Sequence, residues 1–291
     1  MKYKVKHTTK YKYQGPVNVC HNRLCLGLIE TSSQKVISSK ILITPEPDET
    51  SNRKDFFGNN ILFFSIYKVH SNLEIVSESE VVIQHHLFQE LAQNSLMLWE
   101  DACLEIEDAE FQEDLVQFIL PSNFVPYKKE IRDFAQISFP KGATLWDACF
   151  DLMQRIFNEI KFTPGFTTIN TPVETVLKAK RGVCQDFAHL MIACVRNMGL
   201  PARYVSGYIE TLPPPDKPKL VGSDASHAWV SIYFPSIGWV DFDPTNCLLP
   251  AFQHIVIAYG RDYQDIAPVK GIVFGSGDQV LSLEVDVERI S

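Results

Sequence analysis

Between residue 2 and about residue 86, apolar and polar side chains alternate without a helical period. The segments Lys2–Tyr13, Asn18–Leu28, Lys35–Thr44, Asn60–His70 and Leu73–His86 are rich in Val, Ile, Tyr and Phe. Gly15-Pro16, the stretch from Pro45 to Pro47, and Gly58 to Asn60 punctuate them as turns. Successive strands of this kind predict an antiparallel sandwich or barrel, a separate β-domain. A mixed stretch from about 87 to 135 follows, and its acidic run from Glu105 to Glu110 reads as a solvated helix face or linker.

The period then changes. Thr144 is placed to cap a helix over Leu145–Ile160, in which Ala148, Leu152, Ile156 and Ile160 recur every four residues. Thr171-Pro-Val-Glu174 supplies a cap, a Pro at the first helical position and an acid three residues after the cap, predicting a short helix to about Lys180 that Gly182 stops. A second helix begins at Cys184, with Phe187, Leu190, Met191, Cys194, Val195 and Met198 on one stripe, and closes at Gly199 and Pro201. On that stripe Cys194 is an inert core thiol, while His189 lies off it and is expected to be solvated. Beyond it, Ala202–Glu210, His227–Phe234, Gly238–Asp243, Ile255–Gly260 and Val280–Val287 read as strands. Leu212–Gly222 is a proline-stiffened loop entering the strand of His227 and is placed to gate access.

Composition narrows what these elements can serve. The 291 residues, 45% hydrophobic and 21% charged, are globular in character. No window approaches the roughly 18 consecutive apolar residues of a membrane span. The net charge of -8 with scattered Lys and Arg excludes a nucleic-acid binder. The N-terminus alternates charge with apolar residues and lacks a secretory apolar core, and the seven cysteines form an odd, loosely spaced set; both favour the cytoplasm. Cys20, His21 and Cys25 form the one local cluster of metal-ligand types, but no second pair stands at zinc-site spacing, so no metal is expected.

A cysteine becomes a nucleophile as its thiolate, which a helix N-terminus or a nearby imidazolium favours. Cys184 meets the first condition by position. His227 opens one strand and Asp243 closes the next, with a hairpin turn at Pro235–Gly238 between them. Both are odd-numbered, so an even register places them on one face, where Asp243 can hold one ring nitrogen and leave the other for the thiol. Asp241 is the nearest rival to Asp243. Asp186 reads as a first-turn acid favoured by the helix dipole. Trp229 and Trp239 are candidates to line a substrate groove or to pack the core.

The runs Gly182-Val-Cys-Gln-Asp-Phe-Ala188, Ser226-His-Ala-Trp229 and Gly238-Trp-Val-Asp-Phe-Asp-Pro-Thr245 together resemble the transglutaminase-like superfamily of papain-like cysteine enzymes. The resemblance is to the bacterial form with an N-terminal β-domain, and extends to Tyr259–Pro268. It implies an α+β fold with the nucleophile at a helix N-terminus packed on an antiparallel sheet. The expected divisions are 1–135 for the β-domain and connecting segment, 136–250 for the catalytic core and 251–291 for a C-terminal β-extension. It implies Cys184 as nucleophile, His227 as general base and then acid, and Asp243 as its orienting carboxylate, with no cofactor. The implied reaction is attack on a carboxamide or peptide carbonyl to give a thioester, with the Cys184 N–H as one oxyanion donor. A hydrolase acting on peptide or protein substrates is the first expectation. A transglutaminase passing the acyl group to an amine is the second, and a silent scaffold the third.

Overall fold

A computed structural model describes residues 1–84, 87–108, 112–210 and 225–290. The loop expected at Leu212–Gly222 lies outside them, as does the end of the acidic run after Asp108. The rest of that run belongs to a helix, α2 (Trp99–Glu107), which buries Ile106 and turns Glu105 and Glu107 outward.

The first sheet is built around one strand. Lys2–Gly27 forms a single β1 of 26 residues, where two strands and a turn at Gly15-Pro16 were expected. The Gly-Pro pair interrupts the ladder without reversing the chain: pairing shifts between Lys12 and Val17, and a Cβ on Gly15 would fall 2.4 Å from the Ser276 carbonyl oxygen. A close backbone approach and a missing donor mark an irregularity here, as they do inside strands elsewhere. Around β1 lie β2 (Gln34–Thr44), β3 (Glu49–Lys54), β4 (Asn60–Ile66) and β5 (His70–Ile83), in the order β2-β5-β1-β4-β3. β3, Glu-Thr-Ser-Asn-Arg-Lys, is exposed throughout and carries no apolar alternation to announce it. Cys20 points into the core beneath this sheet, facing His70 Nε2 at 3.8 Å, while His21 points outward to Ser65.

Two further strands, β12 (Val269–Gly275) and β13 (Gln279–Arg289), pair antiparallel with β1, so the C-terminal segment completes the N-terminal sheet. The remaining helices are α1 (Leu87–Gln93), α3 (Gln112–Val116), α4 (Lys129–Gln136), α5 (Leu145–Glu159), α6 (Val173–Ala179), α7 (Cys184–Asn197) and α8 (Tyr263–Ile266). Thr144 caps α5 as expected, its hydroxyl accepting from Asp147 N at 3.0 Å. α6 starts one residue later than its motif suggests. Pro172 is extended at the cap position, and the Thr171 hydroxyl accepts from Thr168 N instead.

The second sheet has the order β10-β9-β8-β11, with β8 (Ala202–Ile209), β9 (Ala225–Phe234), β10 (Gly238–Phe242) and β11 (His254–Gly260). The division expected at 250 is therefore corrected: β11 belongs to the core sheet, and only the strands after it join the first one. α7 lies on this sheet and is buried on every side, because α4, α5 and α6 cover the face that β8 and β9 leave free. That is the pattern of a helix in the middle of a core. It also corrects the expectation for His189, which is 2% exposed, stacked on Phe124, and accepts the Tyr263 N–H at 3.2 Å. Burial lowers its pKa to about 4, so the ring is neutral.

Side-chain amides join the two sheets. β11 is an edge strand, and its outward-pointing backbone at Val256 is held by Gln34, which donates to Val256 O and accepts from Val256 N, both at 2.8 Å. Asn59 repeats the pattern at Tyr259, donating at 2.7 Å and accepting at 2.8 Å. The register shift between Val256 and Ala258 turns both residues outward. Each amide thus substitutes for one residue of a neighbouring strand. Among the described residues no helix is long and apolar enough to cross a membrane.

Candidate active site

Cys184 is the first residue of α7, after Val183 in extended conformation, and is half-buried. Its place is fixed from both sides. Upstream, β6 (Lys161–Phe162) and β7 (Arg181–Gly182) form a two-residue parallel pair, and Thr163 N donates to Gly182 O at 2.8 Å. Downstream, Asp186 folds back: its Oδ2 accepts the Val183 N–H at 2.7 Å and the Thr167 hydroxyl at 2.6 Å. This is the carboxylate half of a capping box, and it satisfies a donor that the helix start would otherwise leave without a partner. Asp186 is 3% exposed, and burial raises its pKa despite the two donors. The fold-back needs Gly182, since a Cβ there would lie 2.8 Å from Asp186 Cβ.

β9 and β10 pair with Phe242 opposite Val230 and Asp241 opposite Ser231, an even register. His227, Trp229, Asp241 and Asp243 therefore share one face of the sheet. His227 Nε2 donates to Asp243 Oδ2 at 2.8 Å, whereas Asp241 accepts from Trp229 Nε1 at 3.1 Å, so geometry separates the two acids. Asp243 also acts as the turn former that an Asp before Pro commonly is, with Oδ1 accepting the N–H of Thr245 at 3.0 Å and of Asn246 at 3.3 Å. One carboxylate oxygen shapes the turn and the other holds the histidine.

Cys184 lies close enough to His227 to help raise its pKa, and since Nε2 is taken by Asp243, Nδ1 is the ring nitrogen left for the sulfur. Burial works against a charge on His227, which is 7% exposed, but the hydrogen bond to Asp243 and the charges of Asp243 and Cys184 outweigh it and push its pKa up to about 9. For Asp243 burial also disfavours the charge, yet the hydrogen bonds and charges of His227 and His254 hold its carboxyl well below the usual range. A half-buried thiol, an imidazolium and a fully buried carboxylate thus stand in series.

Residues 135–244 match the transglutaminase-like superfamily, and residues 3–82 match the bacterial transglutaminase-like N-terminal region. An uncharacterised protein of Mycobacterium tuberculosis is 36% identical over 295 residues, covering 98% of this chain and 92% of that protein. The chain belongs to the transglutaminase-like superfamily. Another uncharacterised relative, from Mycobacterium leprae, is 28% identical and spans 99% of both chains. The crystal structure of a candidate cysteine protease from Cytophaga hutchinsonii has a TM-score of 0.78 at 22% identity, covering 100% of this chain and 91% of that one. This likeness shows that the two share the α+β fold.

Within this transglutaminase-like core the two tryptophans part company. Trp229 is fully buried, packed with Ile29, Val205 and Val256, and is a core residue and not a groove wall. Trp239 is half-buried and stacks on Arg203, lining a cavity of about 400 Å³ whose walls include Phe88, Arg203 and Tyr259 but neither Cys184 nor His227. Sequence reasoning missed two side chains that touch the carboxylate: Asn246, with Nδ2 at 2.8 Å from Asp243 Oδ2, and His254, with Nε2 at 3.1 Å from the same oxygen. Asn246 follows Asp243 within the same turn and was within reach of inspection. His254 carries no local signal. The structural hint to it is Gly207, where a Cβ would sit 2.3 Å from the Trp229 ring, so the glycine lets that ring lie across β8 and meet His254 edge-on at 5.1 Å.

His227, Asp243 and His254 place three ligand-type atoms within 4.8 Å of one another. Each imidazole already donates from Nε2 to the carboxylate, and no cation is needed to account for their approach.

Proposed function

We propose that this chain is a cysteine-dependent acyl-transfer enzyme that hydrolyses amide bonds in peptide or protein substrates through Cys184, His227 and Asp243. The convergence of these three residues carries the reading: a thiol at a helix start beside a histidine whose Nε2 is held by a buried carboxylate. The thiolate attacks the carbonyl carbon, and the resulting oxyanion is met by the N–H of Cys184, one of the first-turn donors that have no acceptor within the helix. Protonated His227 gives its proton to the departing amine as the C–N bond breaks, leaving a thioester on Cys184. His227, now neutral, takes a proton from water as the water oxygen attacks the thioester, and the returning thiolate restores the pair. Asp243 keeps the ring oriented and its charge compensated throughout.

Amine transfer differs only in the final nucleophile. A protein-glutamine gamma-glutamyltransferase of Pseudomonas aeruginosa is 34% identical over 104 residues, which keeps this second reading in view. The deciding experiment incubates wild type and Cys184→Ala with a glutamine-containing peptide library, with and without a primary amine, and reads products by mass. Cleavage, deamidation and amine incorporation are separately visible. Cys184-dependent cleavage or deamidation supports the hydrolase, and Cys184-dependent incorporation supports the transferase. No Cys184-dependent product leaves a silent scaffold.

A further inference from the structure

Asp243 Oδ2 receives three donors: His227 Nε2, Asn246 Nδ2 and His254 Nε2. Asn246 belongs to the same turn as Asp243 and moves with it. His254 comes from elsewhere. It sits at the start of β11, two strands from β9, with a side chain 1% exposed, and ties the carboxylate to the far edge of the sheet. We propose that His254 is a positioning residue, whose Nε2–H fixes Asp243 Oδ2 so that His227 keeps Nδ1 aimed at the sulfur; this rests on the acyl-transfer reading of Cys184.

The chemistry of the ring supports the role. An ionised carboxylate only accepts, so Nε2 of His254 carries the proton; burial keeps the ring neutral, with Nδ1 unprotonated. That neutrality matters because the His227 ring centroid is only 5.9 Å away, and a second imidazolium would oppose the first. Nδ1 of His254 is buried and meets no partner among the described residues. A buried acceptor without a partner is unfavourable for folding, and an aromatic hydrocarbon of similar shape would pack against Trp229 without it. A residue that packing alone would not choose, in contact with the acid of the site, is where a functional constraint is expected to override a stability rule.

The test compares wild type, His254→Phe, His254→Gln and His254→Asn in steady-state hydrolysis of p-nitrophenyl acetate and in the rate of Cys184 alkylation by iodoacetamide, with thermal unfolding of each. The Phe variant keeps the ring and loses the donor; the Gln amide reaches Asp243 and the shorter Asn amide does not. For the Phe variant, kcat is expected to fall on the order of 10- to 100-fold, the loss of one charge-assisted hydrogen bond, with KM nearly unchanged. Its unfolding midpoint is expected to equal or exceed that of wild type, and Gln is expected to restore most of kcat. Unchanged kcat in the Phe variant, or equal kcat in the Gln and Asn variants, overturns the role. If the Phe variant does not fold, the Gln and Asn pair decides. Wild-type Cys184 that is alkylated no faster than Cys247 and gives no ester turnover overturns the acyl-transfer reading and this role together. Fast wild-type reaction with an equally fast Phe variant removes only the role of His254.

Discussion

Replacing Asp243 by Asn tests the electrostatic core of the site, because the two side chains have nearly the same shape and differ in charge. The rise of His227 from 6.5 to about 9 corresponds to roughly 3 kcal/mol of preference for imidazolium over imidazole. That preference is net of a burial penalty, which remains when the carboxylate goes. Asp243 supports the charge on His227 more than Cys184 does, so Asp243→Asn is expected to return the pKa of His227 to about 6.5 or below, and Cys184→Ala to lower it less. At pH 7.5 the imidazolium fraction would then fall about tenfold from protonation alone, before any loss of ring orientation. The assay is NMR titration of labelled histidines, with the His227 resonance assigned by its loss in His227→Gln. The alkaline limb of kcat/KM should move down with it.

The same shift predicts a pH-dependent stability. A raised histidine pKa stabilises the fold fully below the unfolded value near 6.5, and the contribution is lost as pH rises through about 9. The carboxyl of Asp243, held low, is ionised over that whole range and adds no slope. Asp243→Asn should therefore destabilise more at pH 6 than at pH 10, by up to roughly 3 kcal/mol. A His227 that still titrates above about pH 8 in the Asn variant, or a destabilisation equal at both pH values, refutes the reasoning.

Two other substitutions probe the frame. Gly182→Ala puts a Cβ 2.9 Å from Asp186 Oδ2 and should displace the first turn of α7, lowering stability by about 1–3 kcal/mol in chemical denaturation and slowing alkylation of Cys184; unchanged alkylation would show that the fold-back does not set the thiol. Gln34→Ala removes three buried hydrogen bonds, to Ile29 and Val256, and should cost about 2–3 kcal/mol in urea unfolding; a loss under about 0.5 kcal/mol would mean that the amide clamp is dispensable.

His227 and Asp243 could be singled out in the sequence because they stand near the ends of two consecutive hairpin strands, and Cys184 because it opens a helix. A hairpin brings a histidine and an acid together once its register is even, as the structure has it, and a helix start exposes a thiol, without knowledge of the whole fold. His254 could not be found this way, since its contact with Asp243 depends on β11 crossing to pair with β8 and on Gly207 leaving room for Trp229. His189 misled because a helical stripe identifies one buried face and is silent about neighbours that cover the other. Gly15-Pro16 misled differently. The dipeptide that usually ends a strand here lies inside one, with Ser276, more than 250 positions away, too close to Gly15 for a Cβ. Trp229 and Trp239 looked alike because both stand on one sheet face, and only the packing of Ile29 and Val256 over the first separates them.

The amide clamps on β11 bear on how this architecture tolerates rearrangement. A backbone ladder is indifferent to side-chain identity, so strands joined that way can diverge widely and still pair. Here the joint between the two sheets runs through the named side chains Gln34 and Asn59, and it is read only by a β11 whose bulge turns Val256 and Tyr259 outward. A transglutaminase-like core grafted onto the β-domain of a distant relative would inherit an open strand edge wherever either amide was missing, and open edges invite pairing with other chains. The two halves are thus matched components and not interchangeable modules, and chimaeras should be cut so that Gln34, Asn59 and β11 travel together.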